Sequence, residues 1–265
     1  MPDFKLAHSA VAFGAAFVAG AINSVAGGGS LISFPAAVAA GLPPIVANAS
    51  NTVAMAPASL ASAWAYRREL AGERPVVRLL LVPAALGGAA GAALLLVTPA
   101  AVFAASVPAL ILLATLLLLV QNIRGPRSDD TEALTASAPA PPLERTGRAV
   151  VLQFFVAVYG GYFGAGMGIM MLALLALLGR TDIHKMNGVK IFLGAAINGV
   201  AALGFLVARA IDPTATVVMT LGGVLGGFTG AAVARRVNKA VVRWTVVAIG
   251  FGMAVLLAYR RWAAP

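Results

Sequence analysis

Long apolar runs fill most of this sequence and decide what it can fold into. A run of about 20 apolar residues, at 1.5 Å per residue, crosses the hydrocarbon core of a bilayer as a helix. Hydrophobic residues make up 60% of the 265 positions, charged residues only 11%, and the mean hydropathy is +0.93. A soluble domain of this length needs more charge to solvate its surface. We therefore predict an all-α, polytopic membrane protein.

Eight apolar segments can be drawn, and glycines interrupt two of them. The segments cover residues 9–40, 47–66, 76–97, 100–120, 149–178, 188–208, 214–233 and 240–259. The interruptions fall at 27–29 and 164–168. Residues 122–148 are rich in charge, Ala and Pro, which is typical of a flexible linker. We predict an N-terminal transmembrane repeat at 1–121, a cytoplasmic linker at 122–148 and a C-terminal transmembrane repeat at 149–265.

A constant shift of 139 residues relates the two halves. It aligns residues 26–29 with 165–168, Asn48 with Asn187, and the glycine-rich stretch 86–93 with 225–232. Three matches in one register, with no gap, indicate that the halves are duplicates. The glycines at 87, 88 and 91, and at 226, 227 and 230, are best explained by close helix crossing.

The distribution of basic residues favours inverted halves. If the interrupted first segment of each half enters the membrane and returns to the same side, three full crossings remain and the halves have opposite orientations. Of the 19 Lys and Arg residues, only Lys5, Arg209, Arg260 and Arg261 then lie opposite the rest, as the positive-inside rule requires. If instead every segment crosses the membrane once, the Lys and Arg residues show only a weak preference for one side. The first arrangement, with both termini outside, matches a recurring transporter plan of inverted repeats with broken helices.

The glycine interruptions are candidate anion sites. Consecutive glycines cost roughly 1 kcal/mol each in a helix interior, so the helix should open there. The freed N–H groups cannot face lipid, and the N-terminus of the following helix attracts an anion. Close helix packing is the alternative. The candidates at the two breaks are Asn23, Ser24, Gly27, Gly28, Gly29, Gly166, Met167 and Gly168.

Polar residues at the start of the next segment in each half are further candidates. They are Asn48, Asn51 and Thr52 in the first half, and Asn187 and Lys190 in the second. An Asn amide both donates and accepts hydrogen bonds, although Asn48 and Asn187 could equally cap helices. A buried Lys is expensive unless it is paired. Lys190 is therefore predicted to be the countercharge of an anion, unless its stem snorkels to the interface.

These stretches together resemble the TauE/SafE family. The resemblance rests on the glycine-rich break at 27–29, the turn at 41–44, the polar run at 47–52 and its counterpart at 184–190, and it covers nearly the whole chain outside the linker. It implies a secondary transporter of the bacterial inner membrane that moves sulfite, sulfoacetate or a related organosulfonate, coupled to the proton-motive force. Asp182 and His184 are the candidate proton relay, although Asp182 could equally cap a helix.

The residue types that the sequence lacks argue against other functional classes of protein. The chain has no Cys, and its two His residues are His8 and His184, so it offers no disulfide, thiolate or metal-binding cluster. No carboxylate lies in a confident helix core, so a sodium or calcium site is not expected. Without a nucleophile or acid–base pair, an enzyme or assembly factor is the least supported class, and no cofactor is expected.

A passive channel for a small anion or neutral solute is the main alternative to a carrier. Steep dependence of flux on the proton gradient would argue against a channel. The net charge of +10 lies mainly between the apolar runs, which argues against nucleic-acid binding. The expected partners are the small anionic substrate and membrane lipid, and a homodimer is left open.

Overall fold

A computed structural model describes residues 6–25, 28–124, 143–233 and 239–263. Within these ranges the chain forms eleven helices and no strand, so the all-α class is confirmed. The helices are α1 (Leu6–Val25), α2 (Ser30–Ala39), α3 (Pro44–Ala65), α4 (Arg67–Ala71), α5 (Arg74–Val97), α6 (Ala100–Arg124), α7 (Leu143–Tyr162), α8 (Met167–Leu177), α9 (Ile183–Val207), α10 (Pro213–Val233) and α11 (Lys239–Ala263).

Three described helices are long and apolar enough to cross a membrane. They are Arg74–Val97, Ala100–Val120 and Ile183–Val207. Large apolar side chains such as Val82, Phe155 and Leu203 are exposed on the outside of the helices. An apolar surface of this kind suits hydrocarbon rather than water.

The helices follow the predicted segments, and each glycine-interrupted segment contains two helices, α1 with α2 and α7 with α8. Two features differ from the prediction. The short helix α4 was not predicted, because five largely polar residues carry too little periodicity. Helix α6 runs to Arg124 and α7 begins at Leu143, so the described ends of the predicted linker are helical. The remaining residues of the predicted linker, 125–142, lie outside the described ranges.

Glycines bring two helix pairs into backbone contact. Helix α1 packs along α10, and α5 packs along α7. A Cβ on Gly226 would overlap the Phe17 carbonyl oxygen of α1, and one on Gly91 would overlap the Val158 carbonyl oxygen of α7. The close helix crossing expected at these glycines is therefore confirmed.

Helices α3 and α9 lie between these two pairs. They contact each other, while α3 also packs against α10 and α9 against α5. Pro44 occupies the first turn of α3, where its missing N–H has no helical partner to lose. Asp182 caps α9, because its carboxylate accepts from the N–H groups of His184 and Lys185. The polar residues of α3 and α9 are thereby held in the middle of the molecule.

Replacing Gly226 by Ala tests the backbone contact between α1 and α10. We expect Gly226→Ala to lower the thermal stability of the detergent-solubilised protein, because overpacking typically costs about 1–3 kcal/mol. The matched control is Gly14→Ala in α1, where a Cβ would meet nothing within 4 Å. It should be neutral or slightly stabilising, since Ala is the better helix former. Equal unfolding temperatures for the two variants would contradict this packing.

Candidate functional site

A cavity of about 60 Å³ lies between α1, α3 and the α7–α9 region. That volume holds a few water molecules or one small ion. Seven of the residues predicted from the sequence line it, namely Asn23, Gly28, Asn51, Thr52, Met167, Gly168 and Lys190. The cavity is therefore built from both glycine breaks and from the starts of α3 and α9.

Lys190 is the charged residue among the described lining residues. Its side chain is 3% exposed, and its Nζ donates to Asn187 Oδ1 at 2.9 Å and to the Asn23 carbonyl at 3.5 Å. Asn187 is one helical turn earlier in α9, whereas Asn23 belongs to α1. Lys190 therefore bridges the two halves of the chain and carries a positive charge to the cavity.

Gly168 leaves room for the stem of Lys190. A Cβ at this position would lie 3.1 Å from Lys190 Cδ. The lysine consequently packs against the first turn of α8, and its charged end reaches toward α1. Any larger residue at 168 would press on this side chain.

The backbone at the two breaks takes the conformations that glycine permits. Gly28 has φ +88° and Gly166 has φ +77°, both in the left-handed region that L-residues avoid. Gly29 lies against Ala19, so α2 folds back along α1. Ser30 begins α2 and Gly168 lies in the first turn of α8, and both residues line the cavity. Two helix N-termini thus border the same space.

Hydrogen bonds of several predicted residues hold the elements around the cavity, and Ser24, Gly29 and Asn48 do not line it themselves. Asn23 Oδ1 accepts from the Gly29 N–H at 2.8 Å, which holds the turn after α1. Ser24 is fully buried and donates to the Gly227 carbonyl of α10 at 2.8 Å. Asn48 Nδ2 donates to the Tyr162 carbonyl at the end of α7 at 2.9 Å. Gly166 also does not line the cavity, and Gly27 lies outside the described residues.

The structure places the candidate proton relay away from the cavity. Asp182 and His184 are exposed at the N-terminal end of α9 and do not line it. His184 is six residues before Lys190, or about 9 Å along the helix axis. In this structure Asp182 acts as the helix cap that the sequence left open as an alternative.

Several cavity residues were not predicted. Met55 and Ser59 follow Asn51 at intervals of four on α3, and Asn198 follows Lys190 at an interval of eight on α9. Ser59 and Asn198 are also 139 residues apart. Helical spacing combined with the repeat shift would therefore have found both. Phe163 and Met171 complete an apolar wall that carried no sequence signal.

A family model described as "Sulfite exporter TauE/SafE" matches residues 12–257. The chain belongs to the TauE/SafE family. The match includes both glycine breaks and every described residue that lines the cavity. The predicted family is therefore confirmed.

Two curated relatives match along nearly their whole length. A "Probable membrane transporter protein" of Haemophilus influenzae is 29% identical and covers 97% of both chains. A "Probable membrane transporter protein ORF9" of Sinorhizobium sp. is 27% identical and covers 97% of this chain and 95% of its own. No solved structure matches this TauE/SafE chain.

Leucine at Gly28 or Gly166 tests the role of the breaks. A Cβ added at Gly28 would lie 2.8 Å from Leu118 Cδ1, and one added at Gly166 would lie 3.0 Å from Ala114 Cβ. Both positions also have backbone conformations that L-residues avoid. We expect both variants to insert into the membrane but to lose the transport activity of the unaltered protein in proteoliposomes, with sulfite tested first because the matching family model is named for it. The control is Gly72→Leu, where φ is −80° and a Cβ meets nothing within 4 Å. Normal transport by both variants would make these glycines packing residues only.

Proposed function

We propose that this TauE/SafE protein is a secondary transporter of the bacterial inner membrane that carries a small sulfur-containing anion. The observation that carries the proposal is Lys190, a buried cation beside a cavity of about 60 Å³. An ionisable residue inside a membrane protein is a functional candidate because its burial is costly. The family description and the names of the two relatives support transport as the activity.

The lining of the cavity suits a sulfite or sulfonate group. Such a group has several acceptor oxygens, and we expect the Lys190 ammonium and the first-turn N–H groups of Ser30 and Gly168 to be its donors in the cavity. Helix N-termini favour anions through their N–H groups and dipoles. Met167 and Met171 face the same space with polarisable sulfur atoms that adapt to substituents of different shape. Sulfite, sulfoacetate and related organosulfonates are the substrates we propose.

Inverted repeats with broken helices are part of this proposal. Adding 139 to the first residues of α3, α5 and α6 gives the first residues of α9, α10 and α11. The same shift turns the pair α1–α10 into α7–α5, and both pairs are in close contact. These correspondences support repeats at 1–121 and 149–265, joined by a cytoplasmic linker. Movement of one repeat-related unit against the other would give alternating access.

We propose that transport is coupled to the proton-motive force. The resemblance to the TauE/SafE family implies this coupling, as it implies the substrate class. Asp182 and His184 remain the relay candidates, and their exposure at the end of α9 supports contact with water rather than with the cavity. Flux of sulfite into proteoliposomes should rise steeply with an imposed proton gradient. Flux that follows the sulfite gradient alone would favour a passive channel.

Substitution of Lys190 tests the countercharge. Lys190→Met keeps most of the length and removes the charge, so sulfite affinity should fall by about one to two decades, because a hydrogen bond to a charged group contributes roughly 1.5–3 kcal/mol. Lys190→Arg keeps the charge but changes the donor geometry and should retain part of the affinity. Affinity is measured on purified protein. Normal sulfite binding by Lys190→Met would refute the site.

Cysteine labelling tests the topology, and the chain contains no Cys that would interfere. Ser137→Cys in the linker should react with an impermeant maleimide only from the cytoplasmic face. Asp3→Cys and Ala264→Cys should react only from the outer face, because three crossings per half leave both termini outside. Termini that label from opposite faces would rule out inverted repeats.

A further inference from the structure

We infer that the start of α3 also holds a small monovalent cation, Na⁺, beside the anion cavity. The inference rests on the proposed function, because the ion would travel with the anion. Two buried amide oxygens carry it, Asn48 Oδ1 and Asn51 Oδ1, and neither accepts a hydrogen bond from the described residues.

The orientation of the Asn48 amide is fixed by its neighbour. Asn48 is fully buried, and its Nδ2 donates to the Tyr162 carbonyl at 2.9 Å. A flipped amide would set two carbonyl oxygens against each other, so the nitrogen must face Tyr162. Asn48 Oδ1 is therefore an acceptor that the fold holds in place without a donor.

Asn51 supplies the second oxygen. It is 2% exposed, lines the anion cavity, and its Oδ1 also has no partner. Residues three apart on a helix have Cβ atoms about 5–6 Å apart, so the amides of Asn48 and Asn51 lie on one face of α3. We place one small ion on that face, where it would contact both oxygens. A buried polar atom without a partner costs about 1–3 kcal/mol, which an ion would remove.

The end of α7 adds to the attraction for a cation. Tyr162 is the last residue of α7, and its carbonyl lies at the negative end of the helix dipole, next to Asn48. Helix C-termini and interrupted backbone supply cation ligands in membrane transporters. The two asparagines are therefore the proposed neutral oxygen ligands, and the end of α7, which contacts the Nδ2 of Asn48, adds its dipole.

Neutral oxygens favour a monovalent ion over a divalent one. Calcium and magnesium sites rely on carboxylates, and no group of three or more His, Cys, Asp or Glu suited to a metal occurs in the described residues. The sequence argument against sodium considered carboxylates only, and amide and carbonyl oxygens satisfy the same ion without a buried negative charge. Na⁺ is therefore the expected occupant.

A cation here would act on the anion site directly. Asn51 lines the anion cavity and is also a proposed cation ligand. An ion at its Oδ1 would therefore lie beside the space that Lys190 borders. Opposite charges close together in a poorly solvated site attract strongly. Binding of Na⁺ would thus raise sulfite affinity, and sulfite would raise Na⁺ affinity by the same factor. The membrane potential would then act on the loaded carrier through the charge of the ion.

Binding of radioactive Na⁺ to the purified protein tests the site. The measurement is made without sulfite, at constant pH, with choline keeping the ionic strength constant. We expect saturable binding that Asn48→Ala or Asn51→Ala weakens at least about tenfold. Ser106→Ala, a half-buried hydroxyl of α6 that bonds its own helix, should bind Na⁺ normally.

Asn48→Asp separates an ion ligand from a structural hydrogen bond. The carboxylate keeps the acceptor oxygens and loses the donor to Tyr162, so Na⁺ binding should survive in Asn48→Asp and fail in Asn48→Ala. Equal loss in both variants would overturn the ligand role. Absence of saturable Na⁺ binding, or sulfite binding that changes with pH but not with Na⁺, would also overturn the proposal.

Sulfite binding in Na⁺-free buffer separates this inference from the proposed function. If sulfite binds through Lys190 while Na⁺ does not bind, the cation site fails alone. If unaltered protein and Lys190→Met bind sulfite equally in both buffers, the proposed anion site fails as well.

Discussion

A lysine ammonium cannot lie among hydrocarbon groups without polar partners, and the structure around the cavity meets that requirement for Lys190. Asn187 supports it from its own helix, and the carbonyl of Asn23 supports it from the opposite half. Gly168 leaves space for its stem, and the turn after α1 places Asn23 within reach. The position of this charge thus depends on the glycine breaks and on the packing of α3 against α9.

Much of this arrangement follows from the sequence, because helix length and glycine content are local properties. The apolar runs predict the helices, and Gly28 and Gly166 predict the breaks. The roles of Ser24 and Asn48 were harder to assign, because each side chain bonds a backbone group from the other half of the chain. Such contacts depend on how helices dock, which periodicity does not specify. Ser59 was overlooked because a serine on a helix carries little signal alone.

Two cavity residues that the 139-residue shift relates differ in chemistry. Asn51 and Lys190 are 139 residues apart, and both line the cavity. On the proposed repeat, a neutral amide in one half corresponds to a cation in the other. Two lysines would be two fixed positive charges in so small a space and would repel each other whenever no anion is bound. One lysine and one asparagine leave a single fixed positive charge, and the Asn51 Oδ1 can bind an exchangeable cation together with the anion.

The pairing of α1 with α10, and of α5 with α7, has a consequence for biogenesis. Each pair joins a helix of the first half to a helix of the second half, with backbone against backbone at Gly226 and Gly91. When the ribosome has completed the first half, α1 and α5 have been synthesised but neither has met its packing partner. Their small-residue faces must make other contacts until α10 and α7 emerge. The protein therefore assembles as one unit late in its synthesis, and neither half is expected to be stable alone.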